Sequence, residues 1–161
     1  MGKLEVCKGA IWMKYAYDKG FKKSAVNIPF CSLICKLTHK PLEKMLEKVK
    51  IPKEVIVNHI LIKGYREEQI SIKEIVPENP GDSAILVLHG GGFGYETAPS
   101  QLLHACHYAS KLQCRAYLPD YHLLPEYPFP AAYEDAMATY QYIVTHASEL
   151  AINPEKGLFY S

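Results

Sequence analysis

The run Ala84-Ile85-Leu86-Val87-Leu88 constrains the fold of this sequence more than any other stretch. Five consecutive apolar residues leave no polar face to turn toward water. A strand of that kind belongs in a sheet covered on both sides, as parallel sheets are. A second buried run spans Cys114 to Leu118, and a third starts at Gly157 and reaches Tyr160. Helical periodicity fills the gaps between them. Leu102, Ala105, Ala109 and Leu112 mark the expected buried stripe of a helix from about Ser100 to Leu112. Pro130 begins a second helix through Ala147, with Tyr133, Met137, Tyr140 and Val144 on one face. Strand–helix–strand–helix–strand implies right-handed crossovers and a parallel α/β sheet with helices on both faces.

The chain upstream differs in character. Val55 to Ile62 is rich in β-branched residues, Gly64 marks a turn, and Gln69 to Val76 alternates Ile70 and Ile72 with polar residues. That is the signature of an antiparallel pair, closed by the Pro77, Asn79, Pro80 and Gly81 loop. Residues 1–50 are lysine-rich and helical in pattern. Leu42, Met45, Leu46 and Val49 share one helix face, and Pro41 suits the first turn. Ile11, Trp12, Tyr15 and Phe21 suggest an earlier amphipathic helix broken near Gly20. Two regions follow: a helical segment over 1–50 and an α/β region over 55–161.

Composition narrows the class of function. With 161 residues, 48% of them apolar, the chain can bury a real core. A formal net charge of +1 gives no global field for a polyanion, so a small molecule is the expected partner and nucleic acid is not. Cys7, Cys31, Cys35, Cys106 and Cys114 form an odd, scattered set. They read as free thiols in a reducing compartment, with no zinc spacing. No secretory leader is visible and no apolar run is long enough to span a bilayer, so a cytoplasmic location is expected. No cofactor and no metal is expected.

The chemistry-bearing segment is His89-Gly90-Gly91-Gly92-Phe93-Gly94, directly after the first buried strand. Glycines let the backbone reach unusual φ/ψ and let a ligand approach its N–H groups. The loop alone leaves three readings open: a plain glycine turn, a phosphate cradle, or an oxyanion hole with pre-oriented donors. The spacing fits neither the dinucleotide fingerprint nor the P-loop, which needs Gly-Lys-Ser/Thr.

A second block, Asp120-Tyr121-His122-Leu123-Leu124-Pro125-Glu126 followed by Pro128-Phe129-Pro130-Ala131-Ala132 and Glu134-Asp135-Ala136, completes the pattern. Together the two motifs resemble the His-Gly-Gly-Gly and Asp-Tyr-Arg-Leu-Ala-Pro-Glu blocks of hormone-sensitive-lipase-like α/β-hydrolases. The resemblance covers roughly residues 55–161; residues 1–50 match only in being helical. It implies an α/β-hydrolase sheet with an N-terminal helical cap, and a carboxylic-ester hydrolase acting on a short- or medium-chain acyl ester. By that pattern Gly91 and Gly92 donate to the oxyanion, Gly90 shapes the turn and His89 fixes the loop. Asp120, Tyr121 and Glu126 are then scaffolding around the loop. Two positions depart: His122 stands where the family prefers Arg, and Leu124 where it prefers Ala. An Arg-centred ion pair is therefore expected to be missing.

The family places its serine on an elbow after the strand that here ends Leu158-Phe159-Tyr160-Ser161. Nucleophile, acid and base are thus expected outside this sequence, and the chain alone is expected to be inactive. Gly81-Asp82-Ser83-Ala84 copies the elbow's first letters, yet it precedes a strand and Ile85 replaces the closing glycine. Ser83 is therefore not the expected nucleophile. His104 and His107, one turn apart with Lys111, read as a solvated helix face rather than a metal pair, and Asp135 as structural. Lys14, Lys19, Lys22 and Lys23 beside Trp12 and Phe21 fit a cap helix or, alternatively, weak contact with an anionic membrane surface. The rival to an enzyme is a non-catalytic acyl- or ester-binding protein, or a half-chain that pairs with a complementing chain.

Overall fold

The computed structural model describes residues 32–156 and 158–160. Helix α1 spans Ser32–Leu46 and leads into an antiparallel pair, β1 (Val55–Lys63) and β2 (Gln69–Pro77), in register from Val55↔Pro77 to Lys63↔Gln69. Strand β3 (Ala84–Val87), helix α2 (Pro99–Leu112), strand β4 (Arg115–Asp120), helix α3 (Ala131–Thr145) and strand β5 (Leu158–Tyr160) follow. They form one sheet in the order β1-β2-β4-β3-β5. Both β4 and β5 pair parallel with β3, while β2 joins β4 antiparallel. The expected antiparallel pair and parallel α/β part are thus a single mixed sheet.

All four residues of β3 are buried, and alternate ones feed opposite faces. Ile85 and Val87 join Ile75, Ala116 and Leu118 under Leu102, Ala105, Cys106 and Ala109 of α2. Ala84 and Leu86 join Ile72 and Tyr117 under Ile143 of α3 and Ala147. Each helix therefore covers one face, as a strand without a polar side demands.

Three helical details differ from the sequence reading. Pro41 lies inside α1 rather than at its first turn, so the helix forgoes one hydrogen bond there. Leu46 still packs on the α2-side core, as does Val49 from beyond the helix end, whereas Met45 is exposed. Leu112 is exposed instead of closing the α2 stripe, because the helix ends at Gln113 in a left-handed cap; Cys106 takes the buried place. On α3 the Tyr133, Met137, Tyr140 and Val144 face points outward, and Ala131, Asp135, Thr139 and Ile143 face the sheet. Small side chains let α3 approach closely, and the one charge among them is fully hydrogen-bonded, as shown below. The free thiols of Cys106 and Cys114 are buried, and burial pushes the Cys106 thiol up to about 11. The proposed helix around Trp12 and Phe21 lies outside the described residues, as do Cys7 and Cys31.

Candidate active site

The glycine loop leaves the C-terminal end of β3, where open α/β sheets bind ligands. Gly91 has φ +141° and Gly92 φ +59°, both in the region that favours glycine. A Cβ at Gly91 would sit 2.9 Å from the Tyr95 carbonyl oxygen, so this position is also sterically reserved. Gly90 is different: its φ lies outside the left-handed region, and a Cβ there would meet nothing nearer than Gln101 Nε2 at 3.4 Å. Phe93 carries a positive φ of 59° without being glycine.

The loop is braced from several sides. Gly94 N–H donates to Gly91 O at 3.2 Å and Leu124 N–H donates to Phe93 O at 2.7 Å. Gln101, in the first turn of α2, accepts from Ala98 N–H at 2.7 Å and donates to Gly90 O at 3.1 Å. His39 of α1 places Nε2 3.4 Å from Gly94 O and Nδ1 3.8 Å from the Glu96 carboxylate. With these braces in place, the N–H groups of Gly91 and Gly92 donate to no backbone carbonyl among the described residues. Two oriented donors at a bend, left open while the carbonyls around them are tied, can receive an anionic oxygen.

His89 is buried and stacks on Tyr121, with ring centroids 4.2 Å apart and planes 5° from parallel. Tyr121 Oη donates to the His89 carbonyl at 2.6 Å, and His89 Nδ1 lies 3.1 Å from Gly90 O. Burial lowers the imidazole pKa, against the opposing pull of the Gly90 carbonyl and the Asp120 charge, so the ring is kept neutral beside the loop. Its Nε2 is buried without a hydrogen-bond partner among the described residues. Burial pushes the Tyr121 phenol up to about 12.

Asp120 ends β4 bound to Lys73 of β2, with Thr97 Oγ1 donating to its other oxygen at 3.4 Å. Neither Lys73 nor Thr97 stands out in the sequence; Lys73 is registered with Leu118 and Asp120 with Ser71, so the pair crosses β2 and β4 diagonally and has no local mark. Glu96, close by, has its pKa raised by burial and by Asp120 and Glu43, against His39 and Lys73. Glu126 lies exposed at the end of the block and lines the same polar cavity of about 420 Å³ as His39, Lys73, Glu96 and Asp120.

At His122 no Arg-centred ion pair forms, and the imidazole instead makes the polar contacts of this corner. Nδ1 sits 2.8 Å from Asp135 Oδ2 and Nε2 3.6 Å from Glu68 Oε2, so the imidazole reaches both carboxylates. Asp135 is fully buried and also accepts the Tyr65 and His122 backbone N–H groups, each at 2.7 Å. Ser83 sits in an exposed loop held by an Asp82–Lys156 pair. His104, His107 and Lys111 are exposed along α2.

Comparison with known proteins agrees with this geometry. Residues 85–159 match the family model described as alpha/beta hydrolase fold. The chain is 36% identical over 89 residues to Probable carboxylesterase 1 of Arabidopsis thaliana, covering 50% of this chain and 28% of that protein. It is 41% identical over 76 residues to 2-hydroxyisoflavanone dehydratase of Glycine max, covering 45% and 24%. A bacterial heroin esterase superposes with a TM-score of 0.65 at 28% identity, over 74% of this chain and 38% of that one. Esterase LipW from Mycobacterium marinum superposes with a TM-score of 0.72 at 19% identity, a likeness of fold, over 82% and 43%. The chain thus spans less than half the length of these relatives. These matches give residues 85–159 a likeness to the α/β-hydrolase fold family, in line with the hormone-sensitive-lipase-like esterases that the glycine loop and the Asp120–Ala136 block resemble.

Proposed function

We propose that this chain carries the oxyanion-binding part of a carboxylic-ester hydrolase, acting on a neutral small-molecule ester. The carrying observation is the pair of open, fixed N–H groups at Gly91 and Gly92. A serine attacks the ester carbonyl, and the oxygen that gains charge moves into reach of these two donors. They favour the tetrahedral state over the ground state because they need no reorganisation as charge develops. Neutral His89 adds no positive charge that would tie up the oxygen in the ground state. The residues described here supply binding and electrostatics; by the family pattern the serine, acid and base belong to sequence after β5. A cytoplasmic location and a cap role for residues 1–50 are part of the same proposal.

The test is hydrolysis of 4-nitrophenyl butyrate by the native protein that carries this sequence. We expect turnover that a serine-directed phosphonate abolishes, with the label on a serine other than Ser83. Absence of turnover, or turnover that survives both the phosphonate and Gly91→Ala, sinks the reading. A second reading, pairing with a complementing chain, draws on the outward apolar face of α3 and on β5, which among the described residues pairs only with β3. Analytical ultracentrifugation of the purified chain with and without candidate partner chains tests it: a monomer that captures none excludes it.

A further inference from the structure

Each of the two open N–H groups is one end of a peptide unit whose carbonyl is held elsewhere. A trans peptide is planar, so its N–H and C=O point in opposite directions. Whatever binds the Gly90 carbonyl therefore aims the Gly91 N–H, and whatever binds the Gly91 carbonyl aims the Gly92 N–H. Gly91 O is bound within the loop, by Gly94 N–H at 3.2 Å, so the Gly92 donor is aimed by the turn itself. Gly90 O has two neighbours, His89 Nδ1 at 3.1 Å and Gln101 Nε2 at 3.1 Å. The imidazole adjoins Gly90 in the chain, and its Nδ1 also lies 3.3 Å from Tyr121 Oη. The glutamine comes from 11 residues away. It fastens the peptide to α2, whose Leu102, Ala105 and Cys106 are packed into the core.

The Gln101 amide is engaged at both ends, and its partners fix which end is which. Oε1 accepts from Ala98 N–H at 2.7 Å, closing the N-terminus of α2, and Nε2 donates to Gly90 O. A glutamate would close the helix as well, since a negative charge suits a helix N-terminus. Of the two residue types, only glutamine also supplies the N–H that Gly90 O receives. We propose that Gln101 is a positioning residue for ester hydrolysis: from the first turn of α2 it holds the Gly90 carbonyl, and through that peptide it aims the Gly91 N–H at the oxygen that gains charge. The inference rests on the ester-hydrolase reading for what the Gly91 N–H meets. In this role Gln101 touches neither ester nor serine; its effect passes through one peptide plane. A donor tilted out of line weakens steeply. The loss falls on the tetrahedral state, where the bond to the oxygen is strongest.

The test uses the native protein that carries this sequence, with two substitutions at one position. Gln101→Glu keeps the acceptor for Ala98 N–H and removes the donor to Gly90 O. Gln101→Met removes both and adds no charge. With 4-nitrophenyl butyrate we expect both to lower kcat by roughly tenfold with KM little changed, the pattern of an interaction made in the transition state. The melting temperature should hold within a few degrees for Gln101→Glu and fall further for Gln101→Met, which loses the helix-end bond. The second readout is NMR after labelling with 13C′,15N-glycine. In this sequence only Gly91 and Gly92 follow another glycine, so their two N–H groups are picked out together. The Gly91 resonance should move in both variants, because its peptide loses a bond at the carbonyl, and that of Gly92 should move far less. A parent that turns over ester, with variants of equal kcat, overturns the proposal and leaves the hydrolase reading standing. A loss confined to Gln101→Glu overturns it too, since the added charge is then the cause. So does a loss of kcat that follows the melting temperature, which makes Gln101 a helix cap only. If the parent turns over no ester, the hydrolase reading falls and the Gly91 resonance decides alone: movement in both variants upholds the aiming, and none overturns it.

Discussion

Two bends around the central strands are built in opposite ways. At the Asp135 corner, every donor that points inward is engaged: one buried carboxylate accepts from Tyr65 N–H, His122 N–H and His122 Nδ1. At the glycine loop, the carbonyls of Gly90, Gly91, Phe93 and Gly94 are contacted while the N–H groups of Gly91 and Gly92 have no partner among the described residues. The corner is scaffolding because its polar groups are satisfied. The loop is the proposed site because its shape is enforced by contacts that avoid the donors. Backbone bonding, more than residue type, separates the two.

Changes at the corner should have the largest effect on stability. Asp135→Ala leaves three donors buried or half-buried without an acceptor, and at 1–3 kcal/mol for each such group the loss should reach about 3 kcal/mol or more. Urea denaturation measures it; a loss under about 1 kcal/mol would mean that water replaces the carboxylate and the corner is not sealed. Gly64 extends the same argument, since a Cβ there would clash with Asp135 Oδ1.

Within the loop, Gly91→Ala and Gly90→Ala should separate. The first forces a side chain into φ +141° and against the Tyr95 carbonyl, for a strain of about 1–3 kcal/mol. By displacing the Gly91 N–H from its place, it should also lower ester turnover by the native protein by up to roughly a hundredfold, the scale of one misplaced oxyanion donor. The second meets only ordinary contact and should leave stability within about 0.5 kcal/mol. Equal effects of the two would show that the loop tolerates or rejects side chains irrespective of φ.

The smallest effect is a pH dependence. Burial raises the Glu96 pKa in the folded state. Its contribution to stability is therefore fully present below the ordinary carboxylate range and is lost as pH rises through the folded value. Glu96→Gln should remove that decline, so the variant gains on the parent as pH moves from acid to neutral. Parallel stability curves across that interval would show that His39 and Lys73 already offset the burial.

The sequence reading captured the strands and helices because their signals are periodic and local. Ala84–Leu88 could only be a covered strand, and the Gly64 and Pro77–Gly81 breaks fixed the hairpin before it. The face of α3 was harder to orient: the aromatic stripe is the more conspicuous one, yet Ala131, Asp135 and Thr139 pack inward because small residues permit close approach. The joining of hairpin and parallel part through β2 and β4 is a long-range pairing with no local mark. At the site, the glycines named themselves, whereas Lys73, Glu96, Gln101 and His39 did not; their roles depend on contacts between segments up to 55 residues apart. His122 was legible as a departure from the family but not as a histidine that reaches two carboxylates.

The most direct test of the contrast is amide hydrogen exchange of the purified chain, read residue by residue by NMR. The account predicts that Gly91 and Gly92 exchange close to the rate of an open chain, while Tyr65 and His122, bonded to Asp135, are slowed by roughly a hundredfold or more. If Gly91 and Gly92 are slowed as strongly as Tyr65 and His122, their donors are engaged within the fold and no oxyanion site exists at this loop.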